Sequence, residues 1–216
     1  MNVRPLARGE LETAAATLTL AFEDDPLMRF MMPRAESRAR WLRWFHLRAL
    51  KECFAAGERH SRATSGNSCG TFTLETGPSE GAIAIHPPGS WPPSLGAELA
   101  AWPLPPGLPP WRLLATGVPL ERRIHALHPA EAHLYVYVLG VHPSRKGRGL
   151  GGALLRHVTQ IADAAGVACH LETANPDNLG LYRHFGFETR SELTSHGGPP
   201  LWTLTRDKVL RAHTDA

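Results

Sequence analysis

The spacing of apolar residues changes along this chain, and each change marks an element. Residues 2–5 suit a short first strand. Leu11, Ala15, Leu18 and Phe22 then recur at the spacing of one helix face. The acidic turn Glu23-Asp24-Asp25-Pro26 ends that helix. Residues 35–56 predict a second helix, with Leu42, Phe45, Ala49 and Cys53 on one stripe and Gly57 as the stop. Two short strands follow at 70–75 and 81–86, with a turn at Gly77-Pro78. Residues 132–141 are rich in aromatic and β-branched types and predict a strand. Leu150, Leu154, Val158, Ile161 and Ala165 predict an amphipathic helix ended by Gly166. A strand at 167–172 comes next, then a short helix capped by Asp177 or Asn178, carrying Leu181 and Phe185 and ended by Gly186. Residues 187–193 and 201–205 close the sheet as a hairpin.

Residues 87–119 break the pattern. They hold ten of the 19 prolines, together with Trp91, Trp102 and Trp111. We expect one domain over 1–206 with this stretch as an insertion, a long ordered loop carrying a short helix near 95–101. A linker between domains is the rival, but three tryptophans argue for burial or a ligand. The tail at 207–216 is expected to fray.

The chain has 216 residues, 43% of them hydrophobic and 20% charged, which suits a full core and not a disordered chain. The net charge of +3 is small, and no nucleic-acid partner is expected. The basic cluster at 34–48 reads as the solvated side of a helix, and that at 145–156 as part of a site for a small anion. Cys53, Cys69 and Cys169 are scattered and odd in number, so neither a disulfide framework nor a zinc site is expected, and a reducing cytoplasm is the default. There is no apolar leader and no run near the ~20 apolar residues of a membrane span, so no membrane is expected. His125 and His128 share a spacing that some metal sites use, but no carboxylate or cysteine partner is apparent and no metal is expected.

The glycine-rich turn that follows residue 141 carries the most chemistry. Lys146-Gly147-Arg148-Gly149-Leu150-Gly151-Gly152 opens a helix whose free N–H groups and dipole face the turn. Glycines admit a close ligand, and Lys146 and Arg148 add charge, so the segment suits a phosphate or pyrophosphate. Gly147, Gly149 and Gly152 match a dinucleotide fingerprint, with Glu172 where an acid would hold a ribose. Against that, Val141-His-Pro-Ser-Arg-Lys separates the strand from the first glycine, and no run of alternating strands and helices precedes it. A Walker loop is excluded because no Lys-Ser or Lys-Thr follows the glycines.

The same turn resembles motif A of the GNAT N-acetyltransferases: a strand, Val-x-Pro, then Gln or Arg-x-x-Gly-x-Gly or Ala. Lys146 stands where the family has Gln or Arg. Asn178-Leu-Gly-Leu-Tyr182-Arg-His-Phe-Gly186-Phe187 matches the family's next motif in order and spacing. The likeness extends from 134 to 187 and is closest to the puromycin N-acetyltransferase-like branch; 57–131 matches nothing. It implies an α/β fold, a mixed and mostly antiparallel sheet flanked by helices and splayed between the strands near 132–141 and 167–172. It implies acetyl-CoA as the cofactor, held by Leu139, Gly140 and Val141, by Lys146 to Gly152 (Lys146, Gly147, Arg148, Gly149, Leu150, Gly151, Gly152) and by Asn178. Tyr182 would protonate the coenzyme A sulfur.

Glu172 ends a strand, where it would take a proton from the acceptor amine or hold its ammonium, or serve only as a strand-end carboxylate in a salt bridge. Asp24 and Asp25 would draw in a cationic acceptor, or serve only as a turn; His86 and Trp91 would line the acceptor mouth, or be exposed loop residues. The function implied is acetyl transfer from acetyl-CoA to the primary amine of a small molecule, for self-resistance against an antibiotic or toxin or for detoxification. The alternatives are transfer to a protein N-terminus or lysine, and a non-catalytic acyl-CoA-binding regulator. A monomer or homodimer is expected.

Overall fold

The computed structural model describes residues 1–64, 69–94, 96, 105–194 and 197–209. Seven strands form one sheet: β1 (Val3–Pro5), β2 (Thr71–Leu74), β3 (Gly81–His86), β4 (His133–Val141), β5 (Ala168–Thr173), β6 (Glu188–Thr194) and β7 (Pro200–Arg206). Their order is β1-β2-β3-β4-β5-β7-β6. Every pairing is antiparallel except that of β4 with β5. The helices are α1 (Leu11–Phe22), α2 (Pro26–Met31), α3 (Ala35–Thr64), α4 (Val118–His125), α5 (Leu150–Ala165) and α6 (Leu179–His184). Among the described residues no helix is long and apolar enough to cross a membrane.

Alternation along β3 distributes the helices. Ala82 and Ala84 face α1 and α3, where small side chains let the helices approach, and Ile83 and Ile85 face α5. In β4 the alternation is interrupted. Ala84 pairs with Val138 and Ile85 with Val136, so Tyr137 is an extra residue and the strand bulges there. Leu134 and Val136 therefore share the α5 side with Leu139 and Val141, across a change of parity. Gly140 lies beyond the bulge, paired with Ala82. A Cβ there would lie 2.7 Å from Leu18 Cδ2 and 2.9 Å from Ala21 Cβ, so glycine is what lets α1 rest on β4.

The parallel pairing runs from His133↔Ala168 to Val136↔Leu171 and stops at the bulge. Beyond it β4 stays with β3 and β5 continues with β7 as far as Thr173. This is the expected splay, and the edge of β4 from Tyr137 onward faces a gap.

Three expectations need correction. Helix α3 runs through Gly57 to Thr64, because glycine serves packing there: an added Cβ would sit 1.6 Å from the Cys69 carbonyl oxygen. Within the basic cluster at 34–48, Arg38 is buried; its Nε donates to the Glu23 carbonyl and its Nη1 to that of Met32, both at 2.8 Å, tying the α1–α2–α3 connections together. The insertion at 87–119 ends in helix, not loop: a π-helical turn at Leu113–Gly117 runs into α4. The short helix expected near 95–101 and Trp102 lie outside the described residues, apart from Gly96, and so does the tail from 210; Trp111 is 72% exposed.

Two helical glycines separate packing from propensity. Alanine is favoured over glycine inside a helix by about 1 kcal/mol. Gly180→Ala meets nothing within 4 Å and should raise stability slightly. Gly57→Ala should lower it by about 1–3 kcal/mol or more, because two backbone segments must part. Urea unfolding of the two variants checks the opposite signs.

Candidate active site

The glycine-rich turn is held from outside. His142 Nδ1 accepts from the Ser144 N–H at 3.2 Å and caps a single 3₁₀ turn, Pro143–Arg145. Glu80, between β2 and β3, accepts Arg145 Nε at 3.1 Å, and its carbonyl accepts the His142 N–H at 2.9 Å. Gly147 and Gly149 then take φ of 77° and 76°, a region that side chains disfavour. Gly149 offers no side-chain cap to α5, so the N–H groups of Leu150, Gly151 and Gly152 have no acceptor within the helix.

These amides open on a cavity of about 780 Å³. Its wall includes Leu139, Gly140 and Val141 from the free edge of β4, then Lys146, Gly147 and Gly149 to Gly152, and Asn178 and Tyr182. The expected cofactor residues are thus gathered in one place, except Arg148, which is exposed and off the wall; Arg145 lines it instead. Asp24 and Asp25 line this same cavity. Asp25 also caps α2, accepting the N–H groups of Leu27 at 3.0 Å and Met28 at 3.1 Å, while burial raises its pKa against those bonds. Asp24 is paired with Arg29 at 3.4 Å.

A second cavity, about 190 Å³, lies in the gap between β4 and β5. Tyr182, Asn178, Asp25, Phe22 and Leu139 belong to both it and the first. Tyr182 is 6% exposed, its ring lies edge-on to Phe187, and its hydroxyl has no hydrogen-bond partner among the described residues. Burial, then the charges of Asp25 and Glu172, push its pKa up, so it is a proton donor at neutral pH. Glu172 lines this cavity too. Its Oε2 accepts from Tyr135 Oη at 2.8 Å, and its Oε1 lies 3.4 Å from His128 Nε2 and 3.2 Å from His170 Nε2. His46 closes the far side. Burial holds its pKa down to about 3, so the ring is neutral, and Nε2 has no partner among the described residues.

A third cavity, about 300 Å³, continues from the second through Met28, Phe45, Tyr135 and Tyr137. Trp41, Trp44, Leu113 and Ile124 make it strongly apolar, and Trp91 forms part of its wall. His86 is not on the wall. It is 1% exposed, lies behind Trp91, and points Nε2 at Glu52 of α3, 3.1 Å away. The sequence reading missed Tyr135, Tyr137, Phe45 and His46. Two tyrosines two residues apart in a strand were the available signal, since such residues tend to share a face.

Residues 114–187 match the model of the acetyltransferase (GNAT) family. The N-alpha-acetyltransferase RimI of Mycobacterium tuberculosis is 35% identical over 75 residues, 33% of this chain and 48% of that protein, so the chain spans about half the length of this curated relative. Among solved structures, the fold is shared with a histone acetyltransferase HPA2-related acetyltransferase from Corynebacterium glutamicum (TM-score 0.63, 20% identity, 98% of each chain). It is also shared with the polyamine N-acetyltransferase of Drosophila melanogaster (0.58, 19%, covering 95% of this chain and 99% of that one). A third is arylalkylamine N-acetyltransferase 2 from Aedes aegypti (0.56, 12%, 95% and 98%). The segment that carries the cradle and Tyr182 is thus the part of the chain that matches the GNAT acetyltransferase family, and it lies in a sheet of the fold shared with these structures.

Gly151 tests the cradle without backbone strain. It is helical, and an added Cβ would meet Val141 Cγ2 at 3.7 Å and Leu181 Cδ2 at 3.8 Å, which are ordinary contacts. Gly151→Val should weaken coenzyme A binding by at least ~10-fold in calorimetry while the melting temperature stays near that of the parent. Gly149 is a poorer probe, since its φ of 76° makes any side chain costly by itself.

Proposed function

We propose that this protein transfers an acetyl group from acetyl-CoA to the amine of a small molecule with an aromatic or aliphatic body. The continuity of the three cavities carries this reading: an amide-lined cradle bearing Arg145 and Lys146, a narrow middle at the splay, and an apolar chamber. Acetyl-CoA fits the first. Positive-φ glycines, helix N–H groups, Lys146 and Arg145 suit its pyrophosphate, and the free edge of β4 suits its pantetheine amides. When bound, it supplies the acetyl group as a thioester whose thiol must leave.

The chain's residues then divide the work. Tyr182, protonated and uncommitted, is placed to give its proton to the departing sulfur, and the proton that the acceptor nitrogen loses as the amide forms restores the phenol. Glu172 acts as a fixed carboxylate of the wall and not as the amine's base, because its Oε2 is held by Tyr135 and its Oε1 is turned to His128 and His170. The apolar chamber desolvates the acceptor, which favours the neutral amine that attacks. An antibiotic or toxin with such an amine is the acceptor that the resemblance to the puromycin branch suggests. The likeness to RimI supports a second reading, a peptide N-terminus.

A panel of amines assayed for thiol release from acetyl-CoA distinguishes the two. Arylalkylamines should be acetylated faster than linear polyamines, and both faster than peptides. Activity on peptides alone would reverse the choice of acceptor. With an acceptor in hand, Tyr182→Phe should lower kcat by ~10²–10⁴-fold where chemistry limits the rate, with acetyl-CoA affinity nearly intact. Single-turnover kinetics beside a melting curve separates this from a packing role, in which Phe is tolerated and turnover is unchanged.

A further inference from the structure

Beside the acceptor chamber, three ligand-type atoms converge on one point. His128 Nε2, His170 Nε2 and Glu172 Oε1 all lie within 4.8 Å of one another. Their side chains are 6%, 0% and 10% exposed. The separations from Glu172, 3.4 and 3.2 Å, are within hydrogen-bonding range, yet none of the three atoms makes a hydrogen bond among the described residues. A buried polar atom without a partner is costly, and here three share the same deficit.

The surrounding bonds say which atoms carry protons. The Glu131 carbonyl can only accept, so His133 Nδ1, 2.9 Å away, must be its donor. In a neutral His133 the other nitrogen, Nε2, is then an acceptor, and it takes the proton of His128 Nδ1 at 3.0 Å. A neutral His128 consequently turns a lone pair on Nε2 toward Glu172. His170 is arranged the same way when its Nδ1 donates to Thr205 Oγ1 at 2.8 Å. Two imidazole lone pairs and a carboxylate oxygen facing each other repel, unless a cation sits between them.

We propose that His128, His170 and Glu172 bind a divalent transition-metal ion of the zinc type. Two imidazoles and a carboxylate are a donor set suited to such an ion, and three protein ligands leave a fourth position for water or a small ligand. The edge of a tetrahedron around zinc, with bonds of ~2.0–2.1 Å, is about 3.3 Å, which the two measured separations straddle. Each ligand is also oriented from behind, as metal ligands are: His128 by His133, His170 by Thr205, and Glu172 Oε2 by Tyr135. His128 stands in the connection between α4 and β4, whereas His170 and Glu172 stand on β5. The ion therefore fastens that connection to the sheet, and with it Trp91, whose ring stacks on His128 at 5.5 Å.

The test uses the full chain, stripped with a chelator and titrated with Zn²⁺ in a calorimeter and with Co²⁺ in a visible spectrometer. One equivalent should bind, Co²⁺ should develop the intense d–d bands of a four-coordinate site, and Zn²⁺ should raise the melting temperature. His128→Ala, in a connection and not in the sheet, should fold and lose at least ~100-fold in affinity. Glu172→Gln keeps an acceptor for Tyr135 and should also lose the cobalt spectrum, while His125→Ala should bind as the parent does. Failure of the parent to bind at micromolar concentration, or undiminished binding by His128→Ala, would overturn the proposal.

Discussion

Strand β4 keeps β5 as its neighbour only as far as Val136, and the rest of the active-site architecture follows from that parting. A parallel pair that ends mid-sheet leaves amides and carbonyls on the free edge of β4 and opens a gap deep enough for Tyr182, Glu172 and His46 to face one another. The bulge at Tyr137 supplies the change of direction, because one extra residue increases local twist and re-aims the side chains beyond it. Leu139 and Val141 can then pack toward α5 while Gly140 admits α1, so both faces of the diverging strand stay covered. Without that cover, the separation would expose core on both sides.

Small residues decide how near the helices come. Ala82 and Ala84 on β3 and Gly140 on β4 bring α1 close to the sheet, and Gly57 lets the lead-in to β2 cross α3. The acidic turn after α1 lands beside the cradle for a related reason. Arg38 collects the carbonyls of Glu23 and Met32, and Asp25 caps α2, so a turn that would otherwise be free becomes part of the wall. Its carboxylates serve structure first, whatever charge they add to the cavity.

The polar groups lie on the opposite principle. Glu172, His170, His128 and Tyr135 are withdrawn from water on the sheet face away from α5, next to one of the most apolar chambers in the molecule. Burial of a carboxylate is tolerated only with compensation. Here the Tyr135 phenol donates to one oxygen, and the other faces the His128 and His170 nitrogens, brought there by β5 and the α4–β4 connection. Residues 37 and 44 positions from their partners in the chain meet at one point, which no local pattern announces.

The division between sequence and tertiary structure follows interaction range. Elements with strong local periodicity, α1, β4 and α5, are legible from apolar spacing, and the cradle is legible because Gly147 and Gly149 answer a backbone need set within a few residues. Gly57 misled for the converse reason: its meaning depends on a distant backbone. The helix at 113–125 was hidden by prolines, which mark loops in most settings. The placing of Trp91 against Tyr135, of His86 behind it, and of His128 against Glu172 was decided only when the sheet formed. The sequence by itself determined the glycine cradle, which is set by short-range backbone chemistry, and its resemblance to the GNAT family pointed to the α/β class and to Tyr182 as the candidate acid. The splay's exact onset, the apolar chamber and the buried histidine–glutamate cluster came from long-range register and packing, because those join residues that the chain keeps far apart.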